Sequence, residues 1–110
     1  MLQGELWYVN LNPVKGSEQS GYRPVVILSG NLANKYLQTL ICCPLTSKIQ
    51  NYKGNVLLKP NKSNGLKVES EILTHQIRSI SKERLVEKIG DIRQEELEDL
   101  KLCLSDILRY

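Results

Sequence analysis

Apolar residues in this 110-residue chain fall into short runs separated by polar, turn-rich stretches, and only the last run changes period. Glu5-Leu6-Trp7-Tyr8-Val9-Asn10-Leu11 is aromatic and β-branched with partial alternation, which predicts a first strand. Asn12-Pro13 ends it. Residues 13–21 follow as a polar stretch longer than the usual hairpin loop, and long loops are disproportionately functional. Pro24 to Ser29 reads as a short buried strand, Asn31 to Lys35 as a helical turn after Gly30, and Leu37 to Cys43 as a third strand. Proline cannot donate to a ladder, so Pro44 predicts a strand end or bulge. Asn55 to Lys59 is a short fourth strand, closed by the turn-rich Pro60 to Gly65. Val68 to Ile80 reads as extended throughout, with Ile72, Thr74, Gln76 and Arg78 on one face and Leu73, His75 and Ile77 on the other. Ser81 to Arg84 predicts a turn and Leu85 to Ile89 a last strand. The period then becomes helical. Leu97, Leu100, Leu104, Ile107 and Leu108 recur at helix spacing among acidic residues, with Asp91 or a neighbour as the expected cap.

Six or so short strands and one terminal helix predict a mainly β domain, a small barrel or sandwich, spanning residues 1–110 without division. With no Phe, one Trp and five Tyr, the core must be aliphatic. The net charge of +3 permits an anionic partner without requiring one. Met1-Leu2-Gln3-Gly4-Glu5 does not read as a signal peptide, and no apolar run approaches a membrane span, so a cytoplasmic protein off the membrane is expected. Three cysteines make an odd count. Cys42 and Cys43 would point to opposite faces of a strand, so all three read as reduced core thiols.

The candidate chemistry sits at strand ends. Arg23 precedes Pro24, which holds its backbone extended, and its planar fork can bind two phosphate oxygens while staying charged. The competing reading is a salt bridge to Glu18 or Glu5. Thr46 ends the third strand, where its hydroxyl can donate to a phosphoryl oxygen with Ser47 and Lys48 beside it. The competing reading is simple turn chemistry. Glu18 is a candidate base or base-edge acceptor, or a solvated loop acid. Gln76 and Arg78 offer a polar surface to unpaired nucleotides, or the plain outer face of a sheet. His75 is the only histidine, so a His/His cleavage pair is excluded. By alternation it faces away from Gln76 and Arg78. The scattered acids do not suit a two-metal nuclease, and neither a nucleophile elbow nor a phosphate-binding P-loop is present.

Three blocks carry a resemblance. Gly16-Ser17-Glu18-Gln19-Ser20-Gly21-Tyr22-Arg23-Pro24, Pro44-Leu45-Thr46-Ser47-Lys48 and Gln76-Ile77-Arg78-Ser79-Ile80, in order and at matching spacing, resemble the signature blocks of the MazF/PemK toxin endoribonucleases. The opening Gly4-Glu5-Leu6-Trp7-Tyr8-Val9 and the closing helix also fit, so the resemblance spans the chain. It implies an SH3-like β-barrel with a C-terminal helix, usually a homodimer. It implies metal-independent, sequence-specific cleavage of single-stranded RNA, leaving 2′,3′-cyclic phosphate and 5′-hydroxyl ends, without a cofactor. Arg23 and Thr46 match the catalytic positions, and Ser17, Glu18, Gln19 and Gln76 match positions lining the RNA groove; Ser47, Lys48 and Arg78 join them as candidate RNA contacts. A cognate antitoxin that blocks the groove is the implied protein partner. At His75 relatives often carry an acid. The alternative is a non-catalytic, protein-binding toxin on the same barrel, of the kind that poisons a topoisomerase.

Overall fold

The computed structural model describes residues 1–11, 21–52 and 55–109. Among the described residues, seven strands form one antiparallel sheet. They are β1 (Glu5–Asn10), β2 (Tyr22–Ile27), β3 (Thr39–Thr46), β4 (Leu57–Leu58), β5 (Ser70–Ile72), β6 (Arg78–Ser81) and β7 (Leu85–Asp91). A short helix α1 (Asn31–Tyr36) links β2 to β3, and α2 (Gln94–Arg109) closes the chain. The path across the sheet is β4-β5-β3-β2-β1-β7, with β6 also paired to β3. The long β3 is the spine, pairing with β2 on one side and with β5 and β6 on the other.

The apolar runs of β2 and β3 are buried on both faces, which explains why they are continuous instead of alternating. Leu6, Val26, Leu28, Cys43, Leu45, Leu58 and Ile72 pack with Leu97 and Leu100 of α2. Val9, Leu11, Val25, Ile27, Leu40, Cys42 and Ile80 form a second cluster on the opposite face. Neighbours in sequence thus join different clusters, as expected for Cys42 and Cys43. All three cysteines are free and buried. A mostly β sheet, curled into a half-barrel against a C-terminal helix, is the fold class expected from the sequence.

Three expectations are corrected. Strand β3 runs two residues past Pro44. Pro44 sits at the Val25–Pro44 pair that closes the β2 ladder, where a missing donor costs least, and β3 then pairs with β5. Its carbonyl still accepts from the Leu73 amide at 2.9 Å. The segment predicted as extended from Val68 to Ile80 is broken by a 3₁₀ turn at Thr74–Gln76. At the Leu45–Ile72 register, Cys42 would face His75; it pairs with Arg78 instead. The three turn residues are therefore extra in the ladder and swing out of it. Finally, Asp91 does not cap α2 but ends β7 and pairs with Lys88 at 3.4 Å. The Glu96 carboxylate accepts from the Arg93 amide at 2.7 Å, and the Arg93 carbonyl accepts from the Leu97 amide, so Arg93 stands at the cap position. Cys103 joins Leu97 and Leu100 in the buried face of α2, whereas Ile107 and Leu108 are exposed.

Candidate nucleic-acid interface

The two strands that carry Arg23 and Thr46 are neighbours, and they diverge where those residues lie. Pairing of β2 with β3 runs Ile27–Cys42, Val26–Cys43, Val25–Pro44. Continued by two residues, that register sets Arg23 opposite Thr46. Period-two alternation puts both on the face of Val25, Ile27 and Cys42, the face of the second apolar cluster. Arg78 joins this face as the partner of Cys42 across β3 and β6. Three candidate residues from three strands thus share one side of the sheet, with Arg78 four residues along β3 from Thr46. Glu5 does not pair with Arg23. Its carboxylate accepts from the Leu2 amide at 3.0 Å and the Trp7 indole at 2.9 Å, and meets the Lys88 ammonium at 3.2 Å.

Thr46 is buried, with its hydroxyl oxygen accepting from the Lys48 amide at 3.1 Å. That bond uses a lone pair and leaves the hydroxyl hydrogen to donate elsewhere. Beside it opens a cavity of about 310 Å³ lined by Thr46, Lys48, Gln50, Tyr52, Leu73, His75 and Gln76. Among the sequence candidates, Thr46, Lys48 and Gln76 meet there, whereas Arg23 and Arg78 lie along the sheet face beyond its lining. Ser47 is exposed at the strand end. Ser17, Glu18 and Gln19 lie outside the described residues.

His75 is the clearest reversal. Strict alternation turned it away from Gln76, but in a 3₁₀ turn successive side chains are about a third of a turn apart. Thr74 therefore points inward, while His75 and Gln76 both reach the cavity. The His75 ring stands edge-on to Tyr52, with centroids 6.0 Å apart and planes at 85°.

Two residues essential to this geometry are absent from the sequence reading. Glu71 on β5 is fully buried, with its side chain beneath the loop that follows Thr46. One carboxylate oxygen accepts from the amides of Gln50 at 2.7 Å and Asn51 at 3.1 Å. The other accepts from the Tyr52 amide at 3.1 Å and the Asn55 side-chain amide at 2.8 Å. Burial alone would push this carboxyl up, but the Asn55 side chain and the three backbone donors outweigh it and hold its pKa below the ordinary value. Asn55 is the second residue. Its carbonyl oxygen accepts from the Thr74 hydroxyl at 2.6 Å, which also lies 3.3 Å from the Cys103 sulfur. The weak signal available for Glu71 was an acid inside the short apolar stretch Ser70-Glu71-Ile72-Leu73.

The cysteines stand apart from this chemistry. Burial pushes the Cys42 thiol up to about 12 despite the opposing charge of Arg78. Cys43 is likewise raised to about 12, by burial first and then by Cys42 and Cys103. No group of His, Cys, Asp and Glu that could hold a metal ion occurs among the described residues. No described helix is long and apolar enough to cross a membrane.

Comparison with known proteins places this arrangement. Residues 2–108 match the family described as PemK-like, MazF-like toxin of type II toxin-antitoxin system. The chain is 37% identical over 106 residues to the Endoribonuclease MazF of Staphylococcus saprophyticus, covering 96% of this chain and 88% of that protein. It is 35% identical over 104 residues to Endoribonuclease EndoA of Bacillus subtilis, covering 94% and 90% of the two chains. Among solved structures, MazF from Deinococcus radiodurans superposes with a TM-score of 0.85 at 28% identity, covering 100% of this chain and 97% of that one. With its sequence matched from end to end and its curled sheet superposed on a solved relative, the chain belongs to the MazF/PemK toxin family of type II toxin–antitoxin systems.

Proposed function

We propose that this toxin is a metal-independent, sequence-specific endoribonuclease that cuts single-stranded RNA to 2′,3′-cyclic phosphate and 5′-hydroxyl ends. The observation that carries the reading is the β2–β3 ladder, which ends at Val25–Pro44, two residues short of Arg23 and Thr46, so that strand alternation leaves both on the sheet face of Val25 and Ile27. The endoribonuclease names of the two curated relatives support the activity. In the reaction the ribose 2′-hydroxyl gives up its proton as its oxygen bonds to phosphorus, the bond to the 5′-oxygen breaks, and that oxygen takes up a proton as it leaves. Negative charge builds on the non-bridging oxygens in between. The planar cationic fork of Arg23 and the hydroxyl hydrogen of Thr46 meet that charge from adjacent strands. Lys48 and Gln76 line the cavity through which the strand runs, with Arg78 on the sheet face beside it. Ser17, Glu18 and Gln19, outside the described residues, are further candidate RNA contacts.

The implied partners are a cognate antitoxin, which would occupy the same groove, and a second copy of the chain. Two solved neighbours are a MazE-MazF structure from Deinococcus radiodurans and an endoribonuclease in complex with its cognate antitoxin from Mycobacterial species. The deciding experiment is incubation of purified protein with single-stranded RNA in excess chelator, followed by mapping of the fragment ends. Wild-type protein is expected to cut, and Arg23→Ala and Thr46→Ala to lose cutting while keeping the fold. Cutting by both variants at the wild-type rate would favour the non-catalytic reading.

A further inference from the structure

The cavity beside Thr46 has two walls from distant parts of the chain, and one buried carboxylate joins them. The first wall is residues 50–52, whose three consecutive amides converge on Glu71. Asn51 has a φ of 54°, the one positive value among the described non-glycine residues. A left-handed residue within consecutive amides makes a concave anion-binding nest, and Glu71 fills it from within the fold. The second wall is the 3₁₀ turn bearing His75 and Gln76. Its first residue, Thr74, donates to Asn55, and Asn55 in turn donates to Glu71. The chain of bonds Thr74–Asn55–Glu71–Tyr52 therefore fixes both walls against each other. What they present between them is the Tyr52–His75 pair, edge to face, with both rings exposed.

Nothing in the proposed phosphate chemistry uses either ring or the buried acid. We propose that Glu71 is a positioning residue for the RNA site, holding Tyr52 against His75 as a stacking platform for one unpaired base next to the scissile phosphate. The proposal rests on the endoribonuclease reading. Aromatic faces suit this task because unpaired bases have to be held without a duplex. A rigid ring loses less freedom on binding than a mobile one, so the value of Tyr52 depends on what anchors its backbone.

The test uses the full chain and Tyr52→Ala, Glu71→Gln and the double variant. The probe is a labelled RNA oligonucleotide cut by the wild type, together with the same oligonucleotide carrying 2′-deoxyribose at the cut nucleotide to block cleavage. Base–aromatic stacking predicts roughly 10-fold weaker binding of the uncleavable probe by Tyr52→Ala. Glu71→Gln should weaken it by about 3- to 10-fold, because an amide group replaces one acceptor oxygen with a donor facing other donors. In cleavage both changes should appear in KM more than in kcat. The double variant should bind no worse than Tyr52→Ala alone, since Glu71 acts through Tyr52. Hydrogen exchange gives a reading independent of RNA: the amides of residues 50–52 should be protected in wild type and in Tyr52→Ala, and exposed in Glu71→Gln. Unprotected amides in wild type, Tyr52→Ala binding as tightly as wild type, or effects that multiply in the double variant would each overturn the proposal. A wild type that binds the probe but never cuts RNA defeats the nuclease reading alone. One that cuts equally well with and without Tyr52 defeats the platform alone.

Discussion

Replacing Thr46 by valine isolates the hydroxyl to which the proposed reaction assigns a part in the rate. The residue is 7% exposed, and valine keeps both its branched shape and its packing. What disappears is a hydroxyl with two jobs. As acceptor it takes the Lys48 amide at 3.1 Å. Lys48 is exposed, so water can replace that partner, and the stability loss should stay near or below ~1 kcal/mol. As donor, in the proposed reaction, it would face the charge that develops on the phosphoryl oxygens. A preorganised donor at such a point typically contributes 10²–10³ in rate, about 2.7–4 kcal/mol of barrier. The two jobs thus separate cleanly, with a small change in folding and a large change in cutting. The assay is single-turnover cleavage of a labelled single-stranded RNA with protein in excess, beside a urea melt of each variant. Thr46→Val should lose at least 100-fold in rate, and Thr46→Ser, which keeps the hydroxyl, should recover most of it. If Thr46→Val cuts within threefold of wild type, the hydroxyl is not the donor. If Thr46→Ser fails as badly as Thr46→Val, the methyl packing rather than the hydroxyl sets the rate.

Three further outcomes follow from the same geometry. A Cβ at Gly90 would sit 2.4 Å from the Ser63 carbonyl oxygen and 2.6 Å from Asn64 backbone atoms. Gly90→Ala must therefore push β7 from the 61–64 turn and strain the Asp91–Ser63 bond, costing about 2–3 kcal/mol in a denaturant melt; an unchanged midpoint would contradict that packing. Cys42 and Cys43, with thiols raised to about 12, should resist iodoacetamide at pH 8 in the native protein and react once unfolded, as read by mass spectrometry. Glu71 has a depressed pKa, so its contribution is complete above the ordinary carboxylate value of about 4.3 and is lost as pH falls through its lower folded value. Stability measured from pH 6 to pH 2 should fall at the acid end, and Glu71→Gln should start lower and fall less. Glu5, also depressed because the Trp7, Leu2 and Lys88 interactions outweigh burial, should keep some acid sensitivity in that variant.

What could be read from the sequence was what depends on neighbours in the chain. Strand runs, the α2 period and the phosphate-handling residues at strand ends all carry local marks: Pro24 after Arg23, or a threonine closing an apolar run. The walls of the cavity carry at most the weak mark of an acid beside an apolar stretch. Glu71 looks like the second exposed acid of a Glu69-Ser70-Glu71 alternation, and only the loop folding back over it makes it buried. Its partners lie 16 to 21 residues away, beyond any periodicity. The same distance hides the 3₁₀ turn. Nothing in Leu73-Thr74-His75-Gln76 forbids a strand, and the turn forms because Thr74 gains a buried acceptor in Asn55, 19 residues earlier. That trade reverses the side on which His75 appears and brings it to Thr46. The division has a functional consequence. The proposed chemistry rests on Arg23 and Thr46, just beyond the β2–β3 ladder, whereas the proposed platform rests on a polar network outside that ladder. Substitutions at Asn55 or Thr74 should therefore shift which RNA is held before they shift how fast the phosphate is attacked.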